Sequence, residues 1–260
     1  MQMLDAASRK DDRTMATGSN FTQLFRKTTV AFLIGLGLVL ICYAFIDRPL
    51  AFYVRHHNFD GYVFLKWLTY PPPIAQAWTP VVLVALLLRR LYGPLRKWEL
   101  ALIGASVSMV LADQFRQSLA YVFGRYWPET WINGNPSLIG NGAYGFHWFH
   151  GGIAYASFPS GHTARTLAVA SVMWMTYPRW RWVCVFSVLL ISVGLVGMNY
   201  HFVGDVVAGG FVGGIVGTYT ACCIGVGKEM QVPRKSGAIP PIHTQFATST
   251  DTDPSHRLNQ

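Results

Sequence analysis

The strongest constraint on this chain is a succession of apolar runs close to the length of a bilayer crossing. About 20 residues of helix span the hydrocarbon layer. Runs of that order lie at about 28–46, 74–88, 98–123, 160–177, 182–199 and 202–225. Hydrocarbon offers no water to backbone N–H and C=O groups, so each run is expected to be helical. The expected fold is all-α and polytopic, with six transmembrane helices. Composition favours this over soluble domains. Hydrophobic residues make up 52% of the chain and charged residues 13%, where a soluble chain carries about a quarter charged.

The flanks divide the chain into a polar N-terminal segment (1–27), a six-span domain (28–226) and a polar C-terminal tail (227–260). The tail lacks hydrophobic periodicity and is expected to be a disordered cytoplasmic extension. No small-residue cleavage site follows the first run, so a retained helix is expected rather than a removed signal peptide. Between the first two runs, Gly61 to Tyr70 reads as a short interfacial helix before Pro71–Pro73, with Trp67 and Tyr70 at headgroup depth. Basic residues orient the bundle. They cluster at Arg9, Lys10, Arg13, Arg26 and Lys27, then at Arg89, Arg90, Arg96 and Lys97, then at Arg179 and Arg181, and finally at Lys228, Arg234 and Lys235. These are alternate connections, so the positive-inside rule puts both termini in the cytoplasm of a bacterial-type inner membrane. The net charge of +9 thus follows from topology and calls for no nucleic acid.

Cys42, Cys184, Cys222 and Cys223 lie in or beside apolar runs, without metal-ligand spacing, and read as packing residues. In the last run Gly209, Gly210, Gly213, Gly214 and Gly217 allow close helix packing within the chain.

The polar residues of this apolar chain concentrate at one expected membrane face. Ser160, Gly161 and His162 open the fourth run, Arg125 closes the third, and His201 and Asp205 join the fifth and sixth. A helix N-terminus capped by serine presents free N–H groups and partial positive charge, which suit an anion such as phosphate. His201 and Asp205 lie one helical turn apart, so the carboxylate can hold one imidazole nitrogen and leave the other as base or nucleophile. His162 could protonate a leaving oxygen, and Arg125 could grip phosphoryl oxygens with both arms.

Arg125, the "PSGH" at 159–162 and the "HFVGD" at 201–205 resemble the three signature blocks of the type 2 phosphatidic acid phosphatases (PAP2), integral-membrane lipid phosphatases that share a helical core with vanadium haloperoxidases. The resemblance covers roughly residues 30–225 and implies a two-step phosphoryl transfer. Carried over by position, His201 would attack phosphorus and become phosphorylated, Asp205 would orient it, and His162 would protonate the leaving group. Arg125, Ser160 and Gly161 would hold the phosphoryl oxygens. The resemblance implies no metal or other cofactor.

Two family positions differ. Ser118 stands where the first block places Lys, and Arg125 is followed by Tyr126-Trp127-Pro128 rather than directly by Pro. Leu195 stands where the third block has Arg. Arg165, one turn past His162, is the expected replacement in phosphate binding. Arg116 is expected to pair with Asp113 structurally. The outer loop 126–157, rich in aromatics such as Trp127, Trp131, Phe146, Trp148 and Phe149, reads as a cover over the site or as an aromatic belt.

The expected activity is hydrolysis of an amphipathic phosphate monoester or diphosphate: a phosphatidate-like lipid, a polyprenyl diphosphate or a lipid A phosphate. It would take place on the outer face of the membrane, with membrane lipids as the other partner. Phosphotransfer to a lipid acceptor is a variant of the same chemistry. A catalytically impaired lipid-phosphate binder or transporter is the alternative from another class.

Overall fold

The structure is a computed structural model. It describes residues 2–131 and 134–225, with side chains described from Thr22 onward. The expected C-terminal tail lies outside the described residues, as do most side chains of the N-terminal segment. Helices account for the architecture, and among the described residues extended structure is limited to isolated bridges. In chain order the helices are α1 (Gln2–Ile41), α2 (Asp47–His56), α3 (Val63–Leu68), α4 (Pro71–Leu91), α5 (Lys97–Phe123), α6 (Leu138–Asn141), α7 (Gly161–Thr176), α8 (Arg181–Gly197) and α9 (Val203–Cys223).

Among the described residues, four helical stretches are long and apolar enough to cross a membrane: Thr22–His56, Val63–Leu91, Pro178–Gly197 and Val203–Cys223. They mark an integral membrane protein. Six crossings were expected, and the two that fall outside this set are α5 and α7. α5 carries Glu99 and Asp113 on its buried side. α7 has 16 residues and opens with His162, Thr163, Arg165 and Thr166. Both polar stretches are explained by position, because α5, α7 and α9 pack on one another as the central layer of the bundle. Ala112, Ala164 and Ala168 form the contact, with Val216 against them. The outer helices instead turn large apolar side chains outward, as Phe32, Leu36 and Leu40 on α1, Leu87 on α4 and Phe186 on α8 show.

The first apolar run does not stop at residue 46. It continues through a single π-helical turn (Cys42–Ile46) into α2, so that Asp47 lies within one long helical stretch and is fully buried. Such turns inside α-helices often sit at functional places. The segment expected to be a short interfacial helix forms α3, which packs on α8. A side chain at Gly194 of α8 would meet the Leu65 carbonyl and Leu68. The three prolines then open α4, where missing N–H groups leave no helical bond unmade.

The closest helix contact is between α7 and α9. Gly209, Gly213 and Gly217 face, in turn, the backbone carbonyls of Ser160, Ala164 and Ala168. Both series advance four residues at a time, so the two backbones touch along three successive turns. A Cβ at any of the three glycines would overlap a carbonyl oxygen. Gly213→Ala is therefore expected to destabilise the folded protein by about 1–3 kcal/mol through overpacking. Gly37, with nothing within 4 Å of its Cβ position, is the control: Gly37→Ala should hold or raise the melting temperature in detergent.

Candidate active site

The site starts at the junction of α8 and α9. Asn199 turns the chain with a left-handed backbone (φ 51°), and its side-chain amide donates to the Ala51 carbonyl at 3.2 Å. The amides of Tyr200 and His201 both donate to the Leu195 carbonyl, at 2.9 and 3.3 Å. His201 is thus presented by a braced turn just before α9 begins. Asp205 is the third residue of α9, and its Oδ2 accepts from the Phe202 amide at 3.0 Å, so it caps the helix on which it sits. The same oxygen accepts from Ser157 Oγ at 2.6 Å and faces His201 Nδ1 at 3.7 Å. Among the described residues no other partner reaches that nitrogen. Catalytic hydrogen bonds are often this long before substrate arrives.

Behind Asp205 lies a buried ionic chain. Arg125 Nη1 donates to Asp205 Oδ1 at 2.5 Å, and Nη2 donates to Asp47 Oδ2 at 2.7 Å. All three side chains are essentially inaccessible. The second oxygen of Asp47 accepts from the Gly204 amide at 2.9 Å, adding a cap to α9 from a neighbouring helix. Rings of Phe202, Phe146, Tyr43 and Tyr144 enclose the guanidinium, with centroids 4.3 to 5.6 Å from its carbon. Burial works against the charge of Arg125, but the carboxylates of Asp205 and Asp47 outweigh it and hold the group protonated above its ordinary range. Burial pushes the Tyr144 hydroxyl up to about 12 despite the neighbouring guanidinium, and it donates to the Tyr43 carbonyl at 2.8 Å.

Arg125, expected to grip phosphoryl oxygens, directs both Nη atoms at carboxylates and is enclosed by aromatic rings. The backbone supports the same arrangement. The Arg125 amide donates to the Tyr155 carbonyl at 2.7 Å, and the Arg125 carbonyl accepts from Ser157 at 3.3 Å.

The other half of the site is the N-terminus of α7. The Ser160 amide donates to the backbone carbonyl of Asp205 at 2.9 Å, tying this loop to α9. Ser160 Oγ accepts from the Thr163 hydroxyl at 3.3 Å and, more distantly, from the Thr163 amide at 3.5 Å. Ser160 is thus a buried helix cap. His162 brings its ring centroid to 6.2 Å from that of His201. At Gly161 a Cβ would lie 2.9 Å from Arg116 Nε and 3.1 Å from Arg165 Nη2. Only glycine lets two guanidiniums approach the helix end so closely.

Asp113 pairs with Arg165, whose Nε donates to Oδ1 at 2.9 Å, and also accepts from Gln117 at 2.7 Å and Gln76 at 3.1 Å. Asp113 also interacts electrostatically with Arg116, as expected, while Arg116 Nε is buried without a hydrogen-bond partner among the described residues. Arg116 thus stands beside the α7 N-terminus, a position that sequence reasoning assigned to structure alone. Its signal was its face on α5: Arg116 points inward, whereas Ser118 is exposed and bonds back to the Gln114 carbonyl. At Leu195 no charge is accommodated, because the side chain packs with Ile191 and Val206.

The loop 126–157 splits into two layers. Trp127 is buried, 5.1 Å from His201 between ring centroids, and its indole N–H donates to the Ile153 carbonyl at 2.6 Å. Trp131 stands edge-on to it at 4.9 Å, and Phe146 backs Arg125. Trp148 and Phe149 point outward. Gly124 makes the turn into the loop with φ 48°, where a Cβ would overlap the His147 carbonyl. Among the described residues no three His, Cys, Asp or Glu side chains gather in a metal-binding group.

The helices thus bring a histidine beside a buried carboxylate and place a second histidine and two guanidiniums at a helix N-terminus, a combination whose charge suits an anion. Residues 101–227 match the model of the PAP2 superfamily, whose members are generally phosphatases. No curated protein and no solved structure matched the chain.

The ionic chain makes a quantitative expectation. Arg125→Met leaves two buried carboxylates without their counter-charge, which should cost about 3–5 kcal/mol. Thermal unfolding in detergent would show it as a large drop in melting temperature.

Proposed function

We propose that the protein is a membrane lipid phosphatase that acts through a phosphohistidine on His201. The observation that carries this is the placement of His201, with Nδ1 toward Asp205 and the ring opposite His162. In the first step the Nε2 lone pair forms a bond to phosphorus as the bond to the leaving oxygen breaks. That oxygen takes the electron pair and a proton from His162. In the second step water forms the new P–O bond, the N–P bond breaks, and His162 takes the proton from water. Asp205 stabilises the positive imidazole of the intermediate.

Arg116, Arg165 and the free amides at the start of α7 hold the phosphoryl oxygens. With Asp113 paired to one of the two arginines, this corner keeps an excess positive charge for the anion. The membrane crossings and an apolar cavity of about 560 Å³ between α1, α5 and α9, reaching Phe158 and Pro159, support a substrate with an apolar tail. The substrate class is an amphipathic phosphate monoester or diphosphate, phosphatidate-like, polyprenyl or lipid A. The six-span topology, with the site at the outer face and the described helices α5 and α7 as inner crossings, completes the proposal.

The test is phosphate release from a panel of these lipids in detergent without divalent metal. Wild type should release phosphate and His201→Ala should not. Arg116→Ala and Arg165→Ala should each lose about 1.5–3 kcal/mol of transition-state binding, roughly 10- to 100-fold in kcat/KM. Equal, negligible release by wild type and His201→Ala would reject hydrolysis and favour a lipid-phosphate binder.

A further inference from the structure

We propose that Asp47 is a positioning residue for phosphoryl transfer: it occupies one arm of Arg125 and so keeps one oxygen of Asp205 free to face His201. The inference rests on His201 acting as the nucleophile.

An arginine fork meeting a carboxylate closes on both of its oxygens by preference. Here the fork is divided. Nη1 takes Asp205 Oδ1 and Nη2 takes Asp47 Oδ2. Asp205 is therefore gripped through one oxygen only, and its Oδ2 remains with Ser157, the Phe202 amide and the 3.7 Å approach to His201. Asp47 cannot swing away, because its Oδ1 holds the Gly204 amide at 2.9 Å. That bond fixes it to α9 itself, next to the residue it assists.

Charge points the same way. Two carboxylates around one guanidinium leave a single excess negative charge, buried beside His201. Phosphorylation of the ring creates a positive charge at that place, and the excess stabilises it. Without Asp47, Arg125 and Asp205 form a neutral pair, the fork is free to close on both oxygens, and Oδ2 is drawn from His201. Asp47 lies outside the family-matched residues 101–227, in a helix that the matched region does not include.

The experiment uses full-length protein in detergent with ¹⁵N-labelled histidine, as wild type, Asp47→Asn, Asp47→Ala and His201→Ala. Dioctanoyl phosphatidate is the probe. In the Asp47 variants kcat should fall roughly 10- to 100-fold with KM within about twofold, as for other residues that orient a reacting histidine. The His201 nitrogen signals, assigned by their loss in His201→Ala, should show a protonated Nδ1 and bare Nε2 in wild type and a mixture of tautomers in the variants. Wild-type kcat together with unchanged nitrogen signals in the variants would overturn the inference. Failure of both variants to fold, read by gel filtration and melting, would assign Asp47 to stability alone and overturn it as well. If wild type releases no more phosphate than His201→Ala, the phosphatase assignment fails for this probe, and the nitrogen signals still decide whether Asp47 orients the ring.

Discussion

The structure depends on one guanidinium held between two carboxylates in a setting closed to water. A lone charge at that depth would be prohibitive, and even a pair is stable only when its remaining hydrogen-bonding capacity is met. The Asp47–Arg125–Asp205 chain meets most of it with Ser157, the Gly204 and Phe202 amides and a shell of aromatic faces, and leaves Arg125 Nε without a hydrogen-bond partner among the described residues. It joins three distant pieces of sequence: the start of α2, the second residue after α5 and the first turn of α9. The position of Asp205 beside His201 is thereby coupled to folding, since Asp205 cannot leave its place without stranding the charges of Arg125 and Asp47.

The site is electrically divided. Carboxylates stand behind His201, and guanidiniums stand beside the opposite helix end at Gly161. On the proposed reading, a phosphoryl group between the two histidines would meet positive charge on its oxygens, with the His201 ring backed by negative charge. Such an arrangement stabilises charge where it develops, without rearrangement at the moment of reaction. Trp127 adds a buried wall beside the His201 ring.

Much of this was legible in the sequence, and the parts that were not share a cause. Ser160, Gly161, His162, His201 and Asp205 announce themselves by local spacing, and the glycines of α9 announce close packing by their four-residue repeat. Asp47 did not, because it stands just past the first apolar run and reads as the start of a loop. Only the π-helical turn before it keeps the helix going. The role of Arg125 depends on partners 78 and 80 residues away, beyond the reach of any periodicity. Counting from the family spacing led to Ser118, which faces outward, and past Arg116, which faces the site. The polar content of α5 and α7 has the same origin: helices enclosed by other helices need not be apolar all round.

The glycine ladder between α7 and α9 has a mechanical consequence. His162 and His201 ride at the ends of two helices whose separation is set by main-chain atoms in direct touch, not by adjustable side chains. The gap between the imidazoles therefore behaves as a rigid gauge. Changes in lipid thickness or lateral pressure can tilt the peripheral helices while the spacing of the two imidazoles stays constant.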